Sequence, residues 1–430
     1  MLSAEDNELL TRTNRGTPMG ELFRRFWMPA LLSREVPEPD CPPVRVRIMG
    51  EDLVAFRDTT GRVGLVDRRC SHRGADLWFG RNEECGLRCV YHGWKFDADG
   101  RCVDIPTMAR DEGLRARVGI TAYPTVEAGD IVWAYLGPPE RRPPLPQLEF
   151  CTVPPDHRFV TKKLQECNWA QSCEGALDTA HFSFLHTPLE LPEVPPERRR
   201  HPLAEAMRWM KEDPAPVFHV REHDAGLLLA ASRRAGEDQL YWRVTQYLLP
   251  NHSLAPGSAP GDIYFGQTWV PIDDESCWVY VYSWHPDRPL NDRENRFVPG
   301  VPTVHADVDE HWVPRRNRSN DYLIDREAQR TRSYTGIEGI SEQDAAIQDS
   351  QGRIADRTRE HLGPTDVGIV RFRRTILGAA RALAAGEEPP AASAPEAYRV
   401  RGGAMVASAS CSVEEALLAR FGSLTGAAPA

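Results

Sequence analysis

One cysteine and one histidine occur together in each of two short segments, Cys70-Ser71-His72-Arg73-Gly74 and Cys89-Val90-Tyr91-His92-Gly93-Trp94. Sixteen residues lie between the first histidine and the second cysteine, so two neighbouring loops offer the same pair of ligand types. Thiolates and imidazoles are metal ligands, and two matched loops make a complete set. The pattern predicts a metal centre with four ligands: Cys70, His72, Cys89 and His92.

This ligand set matches a [2Fe-2S] cluster in which two thiolates bind one iron and two histidines bind the other. Gly74 and Gly93 follow the two histidines closely and leave room for backbone amides to approach the sulfides. A tetrahedral zinc site could use the same four side chains, so the residues alone leave zinc as an alternative. The chain has ten cysteines and no CxxC pair, which is too sparse for a disulfide scaffold.

A second group of candidate metal ligands lies between Glu174 and His186, where Asp178 and His181 also occur. Glu166 to Leu185 is predicted to be helical, with Asp178 and His181 on one face and His186 turned about 140° away from His181. We therefore expect the helix to distort or end there. Two histidines and one carboxylate are the ligands of non-haem iron(II) oxygenases. The alternative is an amphipathic helix whose histidines make local hydrogen bonds.

Taken together, these segments resemble the Rieske-type aromatic ring-hydroxylating oxygenases. The similarity is strongest to the branch of phthalate dioxygenase and of phenoxybenzoate or chlorobenzoate dioxygenase. It rests on the two loops, on Asp178 to His186, on Asn168-Trp169 and on Asp356-Arg357 to Gly363, and it covers roughly residues 20 to 380. Respiratory Rieske proteins have an extra cysteine in each loop, and neither loop has one here.

The resemblance implies a role for each residue of the second group. His181 and His186 would bind iron(II), and Asp178 would link the two metal centres. The third iron ligand would be Asp344, in the segment Gly339-Ile340-Ser341-Glu342-Gln343-Asp344. That segment is also typical of a helix start with an N-cap and an acid three residues later, a role that needs no metal. Two further carboxylates are alternative candidates for the third iron ligand: Glu338 and Glu342.

One residue departs from the pattern of the wider family. Naphthalene-type members carry asparagine four places before the bridging acid, where this chain has Glu174. The hydrogen bonding that this asparagine provides is therefore not expected here.

The expected fold class is α+β. Residues 1–26 are predicted to form an N-terminal helical segment, 27–136 an all-β Rieske domain and 137–156 a proline-rich linker. Residues 157–385 are predicted to form a catalytic domain of helices on an antiparallel sheet, and 386–430 an Ala/Pro-rich tail that is mostly mobile. The predicted strands are Val44–Ile48, Asp52–Arg57, Phe218–Ala231, Tyr241–Leu249, Ile263–Val270 and Trp278–Trp284.

Composition narrows the class of partner. Lys and Arg number 52 against 62 for Asp and Glu, a net charge of −10 that disfavours nucleic acid and anionic membranes. No apolar run approaches the ~18 residues that span a bilayer. Met1 to Leu10 carries three acids where a signal peptide would be basic, which predicts a cytoplasmic protein.

Electrons must come from elsewhere, because reductive activation of dioxygen consumes them and the sequence contains no GxGxxG nucleotide fingerprint. The expected partner is a flavin and iron–sulfur reductase that oxidises NAD(P)H. The resemblance implies homotrimers or hexamers, in which the cluster of one subunit serves the iron of its neighbour. The expected reaction is hydroxylation of an aromatic substrate. If that substrate is carboxylated, Arg208 or Arg243 could bind it, although either could equally be a surface or structural arginine.

Two alternatives remain at this level. A monooxygenase that demethylates aryl ethers would use the same two metal sites with a different pocket. An electron-transfer iron–sulfur protein without catalysis would need only the four ligands of the two loops: Cys70, His72, Cys89 and His92.

Overall fold

The computed structural model describes residues 1–108, 113–194, 199, 201, 203–256, 262–294 and 304–428. Its α-helices are α1 Ala4–Thr11, α2 Pro18–Phe23, α3 Trp169–Leu177, α4 Ala206–Glu212, α5 Arg326–Thr331, α6 Ile340–Ser350, α7 Val367–Ala384 and α8 Val413–Phe421. No helix in these ranges is long and apolar enough to cross a membrane.

Three small antiparallel sheets make up the N-terminal part of the chain after α2. One has the order β1-β11-β10, the second β2-β3-β4-β9 and the third β5-β6-β7-β8. Their strands are β1 Trp27–Leu32, β2 Val44–Ile48, β3 Glu51–Arg57, β4 Val63–Asp67, β5 Arg81–Glu83, β6 Gly86–Arg88, β7 Lys95–Phe96, β8 Cys102–Asp104, β9 Ala122–Tyr123, β10 Thr125–Ala128 and β11 Ile131–Tyr135.

An eight-stranded antiparallel sheet dominates the rest, in the order β12-β18-β17-β16-β15-β14-β13. The eighth strand, β19, pairs with the first half of β15, whose second half pairs with β16. The strands are β12 Arg158–Gln165, β13 Val217–His223, β14 Gly226–Arg234, β15 Gln239–Leu248, β16 His252–Ala255, β17 Tyr264–Pro271, β18 Cys277–Trp284 and β19 Gly403–Ser408. The α+β class expected from the sequence is confirmed.

The largest core joins the N-terminal helices, the β1 sheet and the eight-stranded sheet. Phe23 meets Trp169 edge-on, with ring centroids 4.9 Å apart, and Trp169 meets Phe372 of α7 in the same way at 6.1 Å. A separate core lies under the two cysteine–histidine loops and includes Leu77, Leu87 and Phe96. The loops therefore stand on their own small hydrophobic base.

Two secondary-structure predictions are wrong in detail. Phe218 to Ala231 is a hairpin of β13 and β14, because the polar residues at His223 and Asp224 interrupt the apolar run and the chain reverses with His223 opposite Gly226. The helix predicted to reach Leu185 ends at Leu177.

The predicted proline-rich linker and the predicted C-terminal tail both pack on the large sheet. In the proline-rich segment, Leu148 and Phe150 are buried, and the ring of Phe150 stacks on Tyr282 at 3.9 Å. The C-terminal tail, expected to be mostly mobile, contributes β19 to the sheet and then forms α8, whose Leu417 is fully buried. Although the tail is rich in alanine, its larger apolar residues recur at the spacing of a strand and then of a helix.

Candidate active site

The two cysteine–histidine loops have the same backbone geometry. Gly74 donates its amide hydrogen to the carbonyl of Cys70 at 2.8 Å, and Gly93 does the same to Cys89 at 2.9 Å. Both glycines have positive φ, 71° and 77°, which residues with a side chain rarely adopt. A Cβ at Gly93 would also lie 2.6 Å from the ring of Pro106. The glycines therefore close two equivalent turns that present each cysteine and histidine in the same way.

The donor atoms of these loops suit a cluster better than a single ion. Cys70 and Cys89 are 2% and 3% exposed, and burial raises the pKa of Cys70 to about 11. The Nδ1 atom of His92 is buried and has no hydrogen-bond partner among the described residues, which leaves it free to bind metal. No three donors of this set lie within 4.8 Å of one another in the described structure, whereas ligands of one zinc ion would lie closer than about 4.6 Å.

Aromatic side chains surround the loops. The indole of Trp94 stacks on the imidazole of His72, with centroids 4.6 Å apart and planes 6° from parallel. Val90 and Tyr91 are more than half exposed, as is Phe79 on the adjacent turn. The histidines of this centre therefore sit at an exposed apolar tip.

The second group of candidate metal ligands lies where α3 ends. Asp178 is the C-cap of the helix: its backbone is extended, and its side chain accepts a hydrogen bond from the amide of Ala180 at 2.7 Å. The chain then makes a short 3-10 turn at His181–Ser183. On a regular helix the side chains of His181 and His186 would point in different directions. Because the helix stops before His181, both side chains can point to the same place.

Three donor atoms converge beside this turn. The Nε2 atoms of His181 and His186 lie 3.1 Å apart, and Oδ1 of Asp344 lies 3.6 Å and 3.2 Å from them, respectively. Ligand atoms about 2.1 Å from one ion and at right angles would be about 3.0 Å apart. Among the described residues, only these three bring three potential ligand atoms within 4.8 Å. The donor set and its geometry fit a single ion bound on one face.

Charge in the group is balanced by mutual contact. Burial would raise the pKa of Asp344, but His186 and then His181 outweigh it and hold the pKa below its usual value. Burial would lower the pKa of His186, and the carboxylate of Asp344 raises it instead. The pKa of Asp178 is likewise lowered against burial by His181, whose Nδ1 lies 3.5 Å from Oδ2. The carboxylates are thus held as anions.

The helix that carries Asp344 is fastened to the edge strand β12. Nζ of Lys163, 4% exposed, donates to the carbonyl of Ser341 at the start of α6 at 2.8 Å. Near the other end, Nε2 of Gln165 donates to Oδ1 of Asp349 at 2.8 Å, and Tyr322 donates to the other oxygen of that carboxylate. The sequence offers no local signal for this clamp, since residues 158–165 were not among the predicted strands.

The other carboxylates near Asp344 have different partners. Glu338 pairs with Arg316, and Glu342 accepts a hydrogen bond from the amide of Asp307 at 3.1 Å. The helix has Gly339 as its N-cap and begins at Ile340, two residues earlier than an N-cap at Ser341 requires. Neither Glu338 nor Glu342 lies with the two histidines.

Glu174, which departs from the pattern of the wider family, lines the same cavity as Asp178, His181 and Asp344. Its carboxylate accepts hydrogen bonds from Arg357, fully buried, at 3.0 Å and from Arg373 at 2.7 Å. Burial would raise its pKa, and the two guanidinium groups lower it. The residue forms a buried ion pair beside the site.

The two candidate substrate arginines lie in different environments. Arg208 is half exposed on α4 and pairs with Glu205 at 2.9 Å. Arg243 is 8% exposed, and its guanidinium carbon lies 4.1 Å from the ring centroid of Phe182, the residue that follows His181. Its Nε is buried without a partner among the described residues. The structure therefore brings only Arg243 to the candidate site.

Comparison with known proteins identifies two domain families along the chain. Residues 26–124 match the family model of the Rieske [2Fe-2S] domain, and residues 134–402 match the model described as LigXa C-terminal domain like. The 3-chlorobenzoate-3,4-dioxygenase oxygenase subunit of Comamonas testosteroni is 41% identical over 414 residues, 93% of each chain. The phthalate 4,5-dioxygenase oxygenase subunit of Pseudomonas putida is 41% identical over 401 residues, 90% of this chain and 88% of the relative.

The fold has solved counterparts. The crystal structure of dicamba monooxygenase bound to 3,6-dichlorosalicylic acid superposes with a TM-score of 0.58 at 19% identity, covering 84% of this chain and 98% of the other. The chain belongs to the Rieske non-haem iron oxygenases, as the sequence predicted. A Rieske [2Fe-2S] cluster and a mononuclear iron are the cofactors of this family, and dioxygen is its co-substrate.

Proposed function

We propose that this chain is the terminal oxygenase of a multicomponent system and that it hydroxylates an aromatic ring bearing a carboxylate. The observation that carries this proposal is the buried guanidinium of Arg243 beside the segment of His181 and His186, whose Nε has no partner among the described residues. Two relatives that are 41% identical are named for chlorobenzoate and phthalate, both aromatic carboxylates.

The ligand assignments are part of the proposal. His181, His186 and Asp344 would hold the mononuclear iron. When bound, the cluster supplies electrons and the iron activates dioxygen. The protein would contribute three ligand atoms on one face of the ion, the arrangement that keeps other positions open for dioxygen and substrate. The cluster ligands would be Cys70, His72, Cys89 and His92.

Arg243 would orient the substrate. Its guanidinium is planar and can donate two parallel hydrogen bonds to a carboxylate, and its Nε donor is unused among the described residues. No carboxylate among the described residues is in ion-pair contact with it; its Nη1 lies 3.4 Å from the hydroxyl of Tyr241 and 3.8 Å from the sulfur of Met210. A buried cation without an anion is costly unless a ligand supplies one.

Electron delivery would occur between subunits of a homotrimer or hexamer. Within the described chain, no hydrogen bond, ion pair or ring contact joins His72 or His92 to His181 or Asp178. A cavity of about 200 Å³ borders Asp178, with its 31% exposed side chain. The exposed apolar tip around Tyr91 is a suitable occupant in a second copy, so that Asp178 would connect two imidazoles across the interface.

The electrons would come from a reductase that oxidises NAD(P)H, because the sequence of this chain carries no nucleotide-binding fingerprint. Both proteins would work in the cytoplasm. Association of this chain with such a partner would supply electrons to the cluster before each turnover.

Product analysis tests the function directly. The anaerobically reduced holoprotein is exposed to ¹⁸O₂ with benzoates, phthalates, their methyl esters and methoxybenzoates. We expect both oxygen atoms in a ring diol and turnover of free carboxylates only. One labelled atom with release of formaldehyde would assign an O-demethylating monooxygenase instead. Turnover of the esters and not of the acids would overturn the proposed role of the carboxylate.

A further inference from the structure

We propose that Gln343 is a positioning residue that fixes the tautomer and the ring orientation of His186, so that both histidines present the same nitrogen, Nε2. The inference rests on the proposed iron site, and it concerns a residue that does not bind the metal.

The contacts of Gln343 determine which of its amide atoms faces the imidazole. Its Nε2 donates to the carbonyl oxygen of Ile337 at 2.8 Å, and its Oε1 lies 2.7 Å from Nδ1 of His186. A carbonyl oxygen can only accept, so the amide nitrogen must face Ile337 and the amide oxygen must face the ring. An amide oxygen can also only accept, so Nδ1 of His186 must carry the hydrogen.

The consequence falls on the opposite nitrogen of the ring. With Nδ1 protonated, neutral His186 has its lone pair on Nε2, the atom 3.2 Å from Oδ1 of Asp344. Metal binding must displace any proton from this atom. Gln343 guarantees that the remaining proton stays on the far side of the ring, where it does not compete with the ion.

The two histidines are held in different ways. His181 has a carboxylate, Asp178, beside its Nδ1, and its side chain is 18% exposed on the side proposed for electron entry. His186 is 5% exposed and has a neutral amide instead. A neutral partner orients the ring without adding a second buried anion to the one on Asp344.

Gln343 and Asp344 are consecutive residues of α6 and contact opposite nitrogens of the same imidazole. Because Lys163 and Gln165 fasten this helix to β12, the orientation of His186 is set by the large sheet. The ring is therefore placed before any metal arrives.

The test uses the holoprotein with its cluster intact and the mononuclear site stripped, titrated with Co(II) against a competing chelator. Gln343→Met removes the acceptor at nearly constant length, and we expect about 10- to 100-fold weaker Co(II) binding. Gln343→Glu keeps an acceptor oxygen for Nδ1 but loses the donor to Ile337 and adds an anion, so it should bind Co(II) more weakly than wild type and more tightly than Gln343→Met. Gln239→Met, at an exposed position of β15 outside the cavity beside His181 and Asp344, is the matched control and should not change the affinity.

The proposal is overturned if Gln343→Met binds Co(II) as tightly as wild type, or if Gln343→Glu is weakened as much as Gln343→Met. The visible spectrum of the cluster and the unfolding midpoint report whether each variant is folded. Should Gln343→Met unfold, Gln343→Asn withdraws the amide from the ring by one methylene and must show the same loss. Failure of the wild-type protein to bind Co(II) or Fe(II) would instead refute the proposed iron site.

Discussion

The cysteine–histidine loops and the histidine–carboxylate group obtain their donors by different routes. All four donors of the first lie within residues 70–92, on two turns of identical hydrogen bonding above a small core of their own. Those of the second come from a turn after α3 and from α6, with residues 181 and 344 brought together by the large sheet. The first centre is local, and the second depends on tertiary structure.

This difference has a physical consequence. A local centre tolerates changes elsewhere because its geometry is set by a few backbone hydrogen bonds. A centre built from distant elements depends on each contact that places them, such as the bond from Lys163 to Ser341. We therefore expect the two centres to respond separately to substitution.

The largest expected effect is loss of one centre with retention of the other. His181→Ala or His186→Ala removes a ligand from a three-ligand site, and the mononuclear iron should fall to background while the Rieske electron paramagnetic resonance signal persists. Metal analysis and spectra of the reduced proteins measure this. Full iron content in both variants would refute the assignment of these ligands.

Asp178→Asn is expected to leave both metals in place and to abolish their communication. The amide keeps the size of the side chain but removes the anion that lies 3.5 Å from Nδ1 of His181. Rapid-mixing spectroscopy should show normal reduction of the cluster, and product formation should fall by about 100-fold or more, on the scale of lost positioning of a catalytic group.

Mixed oligomers sharpen the same point. Chains with Cys70→Ala and chains with His181→Ala should regain partial activity when assembled together, because an intact cluster can face an intact iron in the neighbour. If mixed oligomers form and remain inactive while wild-type mixtures treated in the same way work, the route between subunits is wrong.

Glu174→Gln probes the ion pair beside the second centre. Removing the carboxylate leaves Arg357 buried without its anion, and breaking a buried pair in this way costs about 3–5 kcal/mol. The folded-state pKa of Glu174 lies below its ordinary value of 4.5, so its stabilisation is present above that pH and is lost as the pH falls through the folded pKa.

Chemical denaturation at pH 7 and at successively lower pH measures this loss, which should narrow below about pH 4.5. Glu327→Gln, which breaks an exposed pair with Arg330, is the control and should cost about 0–1 kcal/mol. Equal effects of the two substitutions would contradict the buried ion pair.

Arg243→Met has the smallest expected effect and bears on the substrate. Loss of a charge-assisted bidentate contact should raise KM for a carboxylated substrate by about 10- to 100-fold, and the KM for its methyl ester should change little. Arg208→Met, which alters an exposed arginine, should leave both constants unchanged. A uniform loss with acid and ester would point to a packing role against Phe182.

The contrast between the centres also explains what the sequence could predict. The cysteine–histidine loops were identified from spacing because their ligands are neighbours in the chain. The end of α3 near Asp178 could be anticipated, since a regular helix cannot direct His181 and His186 to one point. The family and the α+β class follow from the same motifs and are confirmed.

Other features had no local signal. The clamp of α6 by Lys163 and Gln165 depends on which strand lies beside that helix, and spacing does not contain this information. The packing of the C-terminal tail was missed because alanine and proline dominate its composition, although Tyr398 and Leu417 are buried. The exposure of Arg208 and the burial of Arg243 became distinct only when their helix and strand were placed.

Counting metals and sulfide in the wild-type holoprotein tests the two-centre account most directly. The account predicts about three irons and two acid-labile sulfides per chain, with a Rieske-type resonance on reduction, because two irons belong to the cluster and one to His181, His186 and Asp344. Zinc in place of iron without visible absorption, or two irons with two sulfides after full reconstitution with Fe(II), would contradict it.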